Sequence, residues 1–135
     1  MAETKGPHVE IMRSMLGRAR GLGTAKSGTA HWWSMKATSL ALIPLTLWLL
    51  ANVIGLIGQP RVAVAAWVAG PITAALLLAT IAALFYHLYL GVQTVIEDYI
   101  HHERPRMGWL LLLKGVTVLL ALASAVSVLK LAFTG

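Results

Sequence analysis

The sequence predicts an all-α integral membrane protein, with three transmembrane helices that follow an N-terminal cytoplasmic tail. Of its 135 residues, 58% are hydrophobic and only 12% are charged, whereas soluble domains are nearer half apolar and a quarter charged. It also contains three stretches that could cross a hydrocarbon layer about 30 Å thick, for which roughly 20 apolar residues suffice. We therefore divide the chain into a basic tail and interfacial segment, 1–36, and a membrane anchor, 37–135.

The first predicted span covers about residues 37–58. No residue between Ala37 and Pro60 is charged, so a helix here can lie wholly in lipid. Trp32 and Trp33 immediately precede the span, as expected of an aromatic pair at the membrane surface.

The second predicted span covers about residues 71–99. Residues 62–96 contain no Asp, Glu, Lys or Arg, but one helix of that length would overshoot the bilayer. Gly70-Pro71 divides the stretch, and proline favours the first turn of a helix. We therefore expect residues 61–70 to form a short connection near the membrane surface.

The third predicted span covers about residues 108–133, after a polar turn that contains Pro105. Lys114 and Lys130 lie inside this span, sixteen residues apart. At 1.5 Å per residue this separation is ~24 Å along a helix. Each ammonium group can therefore extend to an opposite membrane surface while its aliphatic stem stays in lipid.

The distribution of basic residues predicts that the N-terminus and the second loop face the cytoplasm. Six of the eleven Lys and Arg residues precede the first span and three lie in or beside the second loop, whereas the first connection and the C-terminal end have one each. Basic residues favour the cytoplasmic side of a membrane. We therefore interpret the net charge of +6 as an orientation signal, and we expect membrane lipid but no nucleic acid as a partner.

His87 is the histidine placed deepest in a predicted span. The other four lie in the tail, just before the first span, or in the second loop. An imidazole in hydrocarbon needs a polar partner, because an unsatisfied polar group there is costly. His87 could bind a metal, or it could form a hydrogen bond to a neighbouring helix for packing. With no cysteine in the chain, a metal centre would depend on histidine or carboxylate ligands.

Gly91, Thr94 and Asp98 share one helical stripe with His87. A glycine one turn from a histidine leaves a flat space, in which a porphyrin ring could lie with His87 as an axial ligand to its iron. Alternatively, Gly91 permits close contact between helices. Because one deep histidine supplies one ligand, a six-coordinate haem would need its second ligand from another chain.

Tyr99 and Asp98 lie at the cytoplasmic end of the second span, with Tyr99 ~18 Å along the helix axis from His87. A phenol at this depth could donate a hydrogen bond to a quinone carbonyl, and a neighbouring carboxylate could relay protons from water. The alternative is that Tyr99 belongs to the interfacial aromatic belt and that the acids at the helix end are simply solvated.

Two blocks of sequence carry a resemblance to a known family. The first block precedes and enters the first span, and the second combines the deep histidine with the Asp-Tyr pair. The residues are KSGTAHWW at 26–33 followed by KAT at 36–38, then HLYLG at 87–91 and EDY at 97–99. From about Lys26 onward, the chain resembles the small hydrophobic membrane anchor subunits of succinate dehydrogenase, respiratory complex II, which are the partners of a cytochrome b556 subunit.

The resemblance implies that His87 is an axial ligand of a haem b shared with a cytochrome b-type sister subunit, which supplies the other ligand. It implies that Tyr99 hydrogen-bonds ubiquinone and that Asp98 lies close to that site. It also places Lys36 and His31 near the haem propionates. The family more often has Arg at the position of Lys36, and a lysine lacks the bidentate fork of arginine.

The resemblance further implies a location in the bacterial inner membrane and two soluble partners, an iron-sulfur subunit and a flavoprotein. Succinate would be oxidised on the flavoprotein, so this chain alone is expected to hold no catalytic residue. Two alternatives remain open from the sequence: a purely structural accessory subunit of another respiratory complex, and the anchor of a fumarate reductase. A haem carrier with both ligands in one chain is disfavoured by the single deep histidine.

Overall fold

The computed structural model describes Met15 and residues 26–134, and the latter form four helices. The rest of the predicted tail lies outside the described residues. We name the helices α1 (Lys26–Gly55), α2 (Arg61–Ala69), α3 (Pro71–Tyr99) and α4 (Glu103–Thr134). The prediction of an all-α fold is confirmed.

Three of the helices are long and apolar enough to cross a membrane, as the sequence predicted. They are Gly28–Gly55, Pro71–Tyr99 and Glu103–Thr134. Within the described part of the chain, the buried hydrophobic residues are only Ala65, Val68 and Leu90. Most large apolar side chains are exposed, and so extensive an apolar surface needs lipid or partner subunits to cover it.

The first and third membrane helices begin earlier than the predicted spans. Helix α1 begins at Lys26 and not near residue 37, and α4 begins at Glu103 and not near residue 108. The prediction counted only residues that suit hydrocarbon, whereas a helix can continue into the interface. Pro105 lies in the first turn of α4, where its missing N–H removes no helical hydrogen bond.

Helix α2 occupies the predicted connection between the first two spans. It has nine residues, or ~14 Å at 1.5 Å per residue, which is too short to cross the bilayer. It packs against α3 and α4. The Nε1 atom of Trp67 also donates a hydrogen bond of 3.1 Å to Oδ1 of Asn52 on α1, and the Trp67 ring stacks on Trp48 at 5.8 Å between centroids. Helix α2 therefore ties the three long helices together at one end.

Helix α3 lies between the other two membrane helices. It packs against α1 on one side and α4 on the other, whereas α1 and α4 do not contact each other within residues 26–134. The chain therefore forms an open row of helices, α1–α3–α4. Both broad faces of this row are available to lipid or to another subunit.

Candidate functional site

The imidazole of His87 is held by a threonine of the neighbouring helix. The Oγ1 atom of Thr38 on α1 lies 2.9 Å from Nδ1 of His87 on α3. The same Oγ1 atom donates a hydrogen bond of 2.8 Å to the carbonyl oxygen of Ser34. Because a carbonyl only accepts and a hydroxyl has one proton, the arrangement that uses both contacts has Nδ1–H donating to Oγ1. The proton of the neutral ring is then on Nδ1, and Nε2 carries the free lone pair.

This contact gives the imidazole of His87 a polar partner, but only at its Nδ1 atom. Among the described residues, Thr38 is the side chain that hydrogen-bonds the ring. The ring is half-buried between α1 and α3. A hydrogen bond to the neighbouring helix and a ligand role for Nε2 are therefore compatible, although the sequence had presented them as alternatives.

Gly91 lies one turn after His87 and next to open space. A Cβ atom added there would meet no side chain or neighbouring helix within 4 Å, whereas one added at Gly70 would lie 3.3 Å from both Oγ1 of Thr73 and the carbonyl oxygen of Trp67. Close packing in the described part of the chain therefore does not require a glycine at position 91. A flat group from outside the chain could occupy this space.

His31 lies on the same face of α1 as Thr38, seven residues earlier, or ~10 Å along the helix axis. Its Nε2 atom is buried and has no hydrogen-bond partner among the described residues. A buried polar atom without a partner costs about 1–3 kcal/mol. His31 is therefore a candidate to hydrogen-bond a group that the described residues do not supply.

Lys36 is not brought together with His31 and His87. It lies two residues before Thr38, so it occupies nearly the opposite face of α1 at 100° per residue. Its Nζ atom lies 4.7 Å from the centroid of the Trp32 ring. Lys36 and Trp32 line an outward-facing groove of about 660 Å³ together with Trp33, Met35, Ala37, Ser39, Leu40 and Ile43.

Asp98 and Tyr99 lie at the C-terminal end of α3 and face outward. Tyr99 is the last residue of the helix, and 81% of its surface is exposed. The adjacent Glu97 accepts a hydrogen bond of 2.8 Å from Nε2 of Gln93, whereas Asp98 is exposed. No element of residues 26–134 closes over Tyr99, so a binding pocket at this point would need walls from outside these residues.

A metal centre built from this chain's own side chains is not present in the described residues, which contain no group of three or more His, Cys, Asp or Glu positioned to hold an ion. A metal bound at His87 would therefore need ligands from outside this part of the chain.

The comparisons with known proteins identify the family. The sequence profile of the family described as succinate dehydrogenase/fumarate reductase transmembrane subunit matches residues 10–127. The chain belongs to this family. The resemblance inferred from the two sequence blocks is confirmed, and as an anchor of this family the chain is one subunit of a larger oxidoreductase complex.

Several relatives support the same assignment. The succinate dehydrogenase hydrophobic membrane anchor subunit of Rickettsia bellii (strain RML369-C) is 32% identical over 117 residues, which are 86% of this chain and 93% of that protein. The corresponding protein of Rickettsia conorii is 31% identical, over 66% of this chain and 71% of the relative. The membrane anchor subunit of Reclinomonas americana is 29% identical, over 69% of this chain and 80% of that protein. No solved structure is a significant match to the chain.

The partner of His87 was missed by reasoning from the sequence. Thr38 belongs to the first sequence block, but its role depends on which residue of α3 it meets. The sequence feature that could have pointed to Thr38 is its position seven residues after His31, on the same face of one helix.

Proposed function

We propose that the chain anchors a succinate:quinone oxidoreductase in the bacterial inner membrane. It contributes His87 as one axial ligand to a haem b, and Tyr99 with Asp98 to a ubiquinone-reduction site. A cytochrome b-type sister subunit supplies the second haem ligand. The observation that carries the proposal is the contact of 2.9 Å between Thr38 Oγ1 and His87 Nδ1.

The Thr38 contact is compatible with a role for His87 as a metal ligand, because it leaves the Nε2 atom of the ring free to coordinate. A metal-bound histidine usually donates its other ring N–H to a nearby acceptor, which fixes the tautomer and the ring orientation. Thr38 is such an acceptor, since its own proton is directed to the carbonyl of Ser34. Bound haem would supply a one-electron carrier inside the membrane. The open space at Gly91 suits one face of its ring.

His31 is the better supported of the two residues assigned to the haem propionates. Its buried Nε2 atom lacks a partner among the described residues, and a propionate oxygen would accept a hydrogen bond from the tautomer protonated there. Lys36 lies on the other side of α1, so its assignment to a propionate rests on the family resemblance alone.

At the quinone site, reduction to quinol takes up two electrons and two protons at the carbonyl oxygens. The phenol of Tyr99 would donate a hydrogen bond to one carbonyl oxygen and so stabilise the negative charge that reduction places there. The exposed carboxylate of Asp98 would pass protons from water to the site. Electrons would come from an iron-sulfur subunit that receives them from the flavoprotein, where succinate is oxidised.

The direct test of this function is the substitution His87→Ala in the assembled complex. We expect the haem absorption bands to be lost, while succinate oxidation with a soluble electron acceptor continues and shows that the subunits remain assembled. His101→Ala, in the loop between α3 and α4, is the matched control and should keep the wild-type spectrum. A complex that carries H87A and still shows the full haem spectrum would refute the ligand role.

The anchor of a fumarate reductase is the second candidate, since the family description includes both enzymes. The names of the relatives from Rickettsia bellii and Reclinomonas americana favour succinate oxidation. Measuring both reactions in the purified complex decides between the two: faster quinol-dependent fumarate reduction than succinate oxidation would favour the second candidate.

A further inference from the structure

A second candidate binding site lies at the opposite end of the helix row from Tyr99. A cavity of about 310 Å³ is lined there by Arg61, Ser127, Lys130, Leu131 and Thr134. Arg61 is the first residue of α2, and the other four belong to the C-terminal end of α4, against which α2 packs. Two basic side chains from different helices therefore share one cavity.

No acidic side chain is near enough to neutralise these two charges within the described chain. The five acidic residues lie in the tail, at the end of α3 and at the start of α4. The end of α3 and the start of α4 are at the other membrane face, a full helix length away. Within residues 26–134, Arg61 and Lys130 therefore have no acidic side chain to pair with, and their charges are available to an anion from outside these residues.

The two hydroxyl groups of the cavity already donate to backbone carbonyls, so Arg61 and Lys130 are the side chains of the cavity that can donate hydrogen bonds to an anion. Ser127 Oγ donates to the carbonyl oxygen of Ala123 at 2.8 Å, and Thr134 Oγ1 donates to that of Lys130 at 2.6 Å. The start of α2 has no side-chain cap, so the N–H groups of its first turn add to the positive potential beside Arg61.

The position of the cavity indicates which anion it would meet. Lys130 lies near the end of the third membrane helix and Arg61 lies just after the first, so both are at the depth of the lipid headgroups. Two cationic side chains that share a cavity at this depth can form charge-assisted hydrogen bonds to the phosphate oxygens of a lipid headgroup. We propose that Arg61 and Lys130 bind the phosphate of an anionic phospholipid, whose acyl chains lie along the apolar surface of α4. This proposal does not depend on the haem or the quinone site.

The test compares lipid retention by the complex in nanodiscs of phosphatidylcholine that contain a minor fraction of phosphatidylglycerol, measured by native mass spectrometry. Each basic side chain that contacts the phosphate of the bound lipid should contribute about fivefold to its affinity, so the R61Q/K130Q double variant should retain about 30-fold less phosphatidylglycerol. R104Q/R106Q removes the same charge at the other membrane face and should keep the wild-type preference. R61K/K130R keeps both charges and should also retain the lipid.

Two results would overturn the proposal. One is equal retention of phosphatidylglycerol by R61Q/K130Q and the wild type. The other is a thermal stabilisation by inorganic phosphate, in phosphatidylcholine alone, as large as that by phosphatidylglycerol, because this would assign the cavity to a free phosphate. If the double variant does not assemble, R61Q and K130Q are tested singly, and each should lose about fivefold.

Discussion

At the scale of single residues, Thr38 and His87 form a pair that determines the chemistry of the imidazole. The hydroxyl of Thr38 lies 2.9 Å from Nδ1 and is anchored by the carbonyl of Ser34. Because the hydroxyl has one proton and the carbonyl can only accept, the arrangement that uses both contacts has the ring nitrogen facing Thr38 as the donor. A threonine bonded to its own helix therefore selects the tautomer of a histidine on the next one.

We predict that Thr38→Val weakens haem binding without removing the ligand. Valine keeps the shape of threonine but cannot accept the Nδ1–H hydrogen bond, so His87 loses its orientation and its preferred tautomer. Loss of such a partner lowers metal affinity by about tenfold or more. The measurement is haem per complex, from the optical spectrum, after graded detergent washing. Thr38→Ser restores the hydroxyl and should restore retention; a T38V complex that holds haem as firmly as the T38S complex would count against the tautomer argument.

We predict that Tyr99→Phe slows quinone reduction by roughly tenfold, which is the effect of losing one hydrogen bond of ordinary strength. Succinate oxidation with a soluble acceptor should be unchanged, because that reaction does not use the quinone site. Tyr86→Phe, on the same helix and beside Lys114, is the matched control and should leave both activities intact. Equal loss of both activities in Y99F would indicate an assembly defect and not a quinone contact.

The residues of the candidate site were predictable from the sequence to different degrees. His87 could be identified because an imidazole in an otherwise apolar span needs a partner. Thr38 could not be paired with it, because one sequence does not reveal the register between two helices. The positions of His31 and Lys36 on different faces of α1 could be read from helical geometry, yet the resemblance had grouped them at one cofactor.

At the scale of the helices, α3 presents different groups to its two sides. His87 meets α1 through Thr38, while Tyr86 and Tyr89 share a small cavity with Lys114 and Thr117 of α4. Gly91 faces neither helix closely. Helix α3 therefore packs against α1 on one side and α4 on the other, and the space beside Gly91 is open to a group from outside the described residues.

We predict that Gly91→Leu displaces the haem while leaving the complex assembled. The chain itself has room for the new side chain, since a Cβ atom there meets nothing within 4 Å. A porphyrin lying against the helix would not have that room. Gly115→Leu is the matched control, because position 115 on α4 is equally open, and it should keep the haem spectrum. Normal haem content in G91L would show that no flat group lies beside position 91.

The helix boundaries show what hydropathy can and cannot predict. The count of apolar residues correctly predicted three spans, because lipid requires that length of uncharged helix. It did not predict that residues 26–36 continue helix α1 or that 61–69 form a helix. A short helix at the membrane surface is stabilised by tertiary contacts such as that of Trp67 with Asn52. A count of apolar residues does not include such contacts.

At the scale of the whole molecule, the open row of helices is incomplete on its own. Helix α3 has neighbours on two sides, but α1 and α4 do not close into a bundle within residues 26–134. Tyr99 is mostly exposed, and the haem proposal needs a second ligand from elsewhere. Under the proposed function, a sister subunit would cover one face of the row and complete both sites.

The orientation of the row in the membrane is the last prediction, and the chain is well suited to testing it because it contains no cysteine. Single cysteines can replace Gln59, between α1 and α2, and His102, between α3 and α4; both positions are exposed. If the basic tail holds the N-terminus in the cytoplasm, Q59C should react with a membrane-impermeant maleimide added to intact spheroplasts, and H102C only in inverted membrane vesicles.

The two cysteine positions control for each other. They lie on opposite sides of the membrane if one membrane helix separates them, and on the same side if none or two do. The reverse labelling pattern would contradict the predicted orientation while preserving three spans. Labelling of both positions from one side would contradict the three-span arrangement itself. With the expected pattern, Arg61 and Lys130 face the outer leaflet, and Tyr99 and Asp98 face the cytoplasm, where soluble subunits could deliver electrons to a quinone and water could supply its protons.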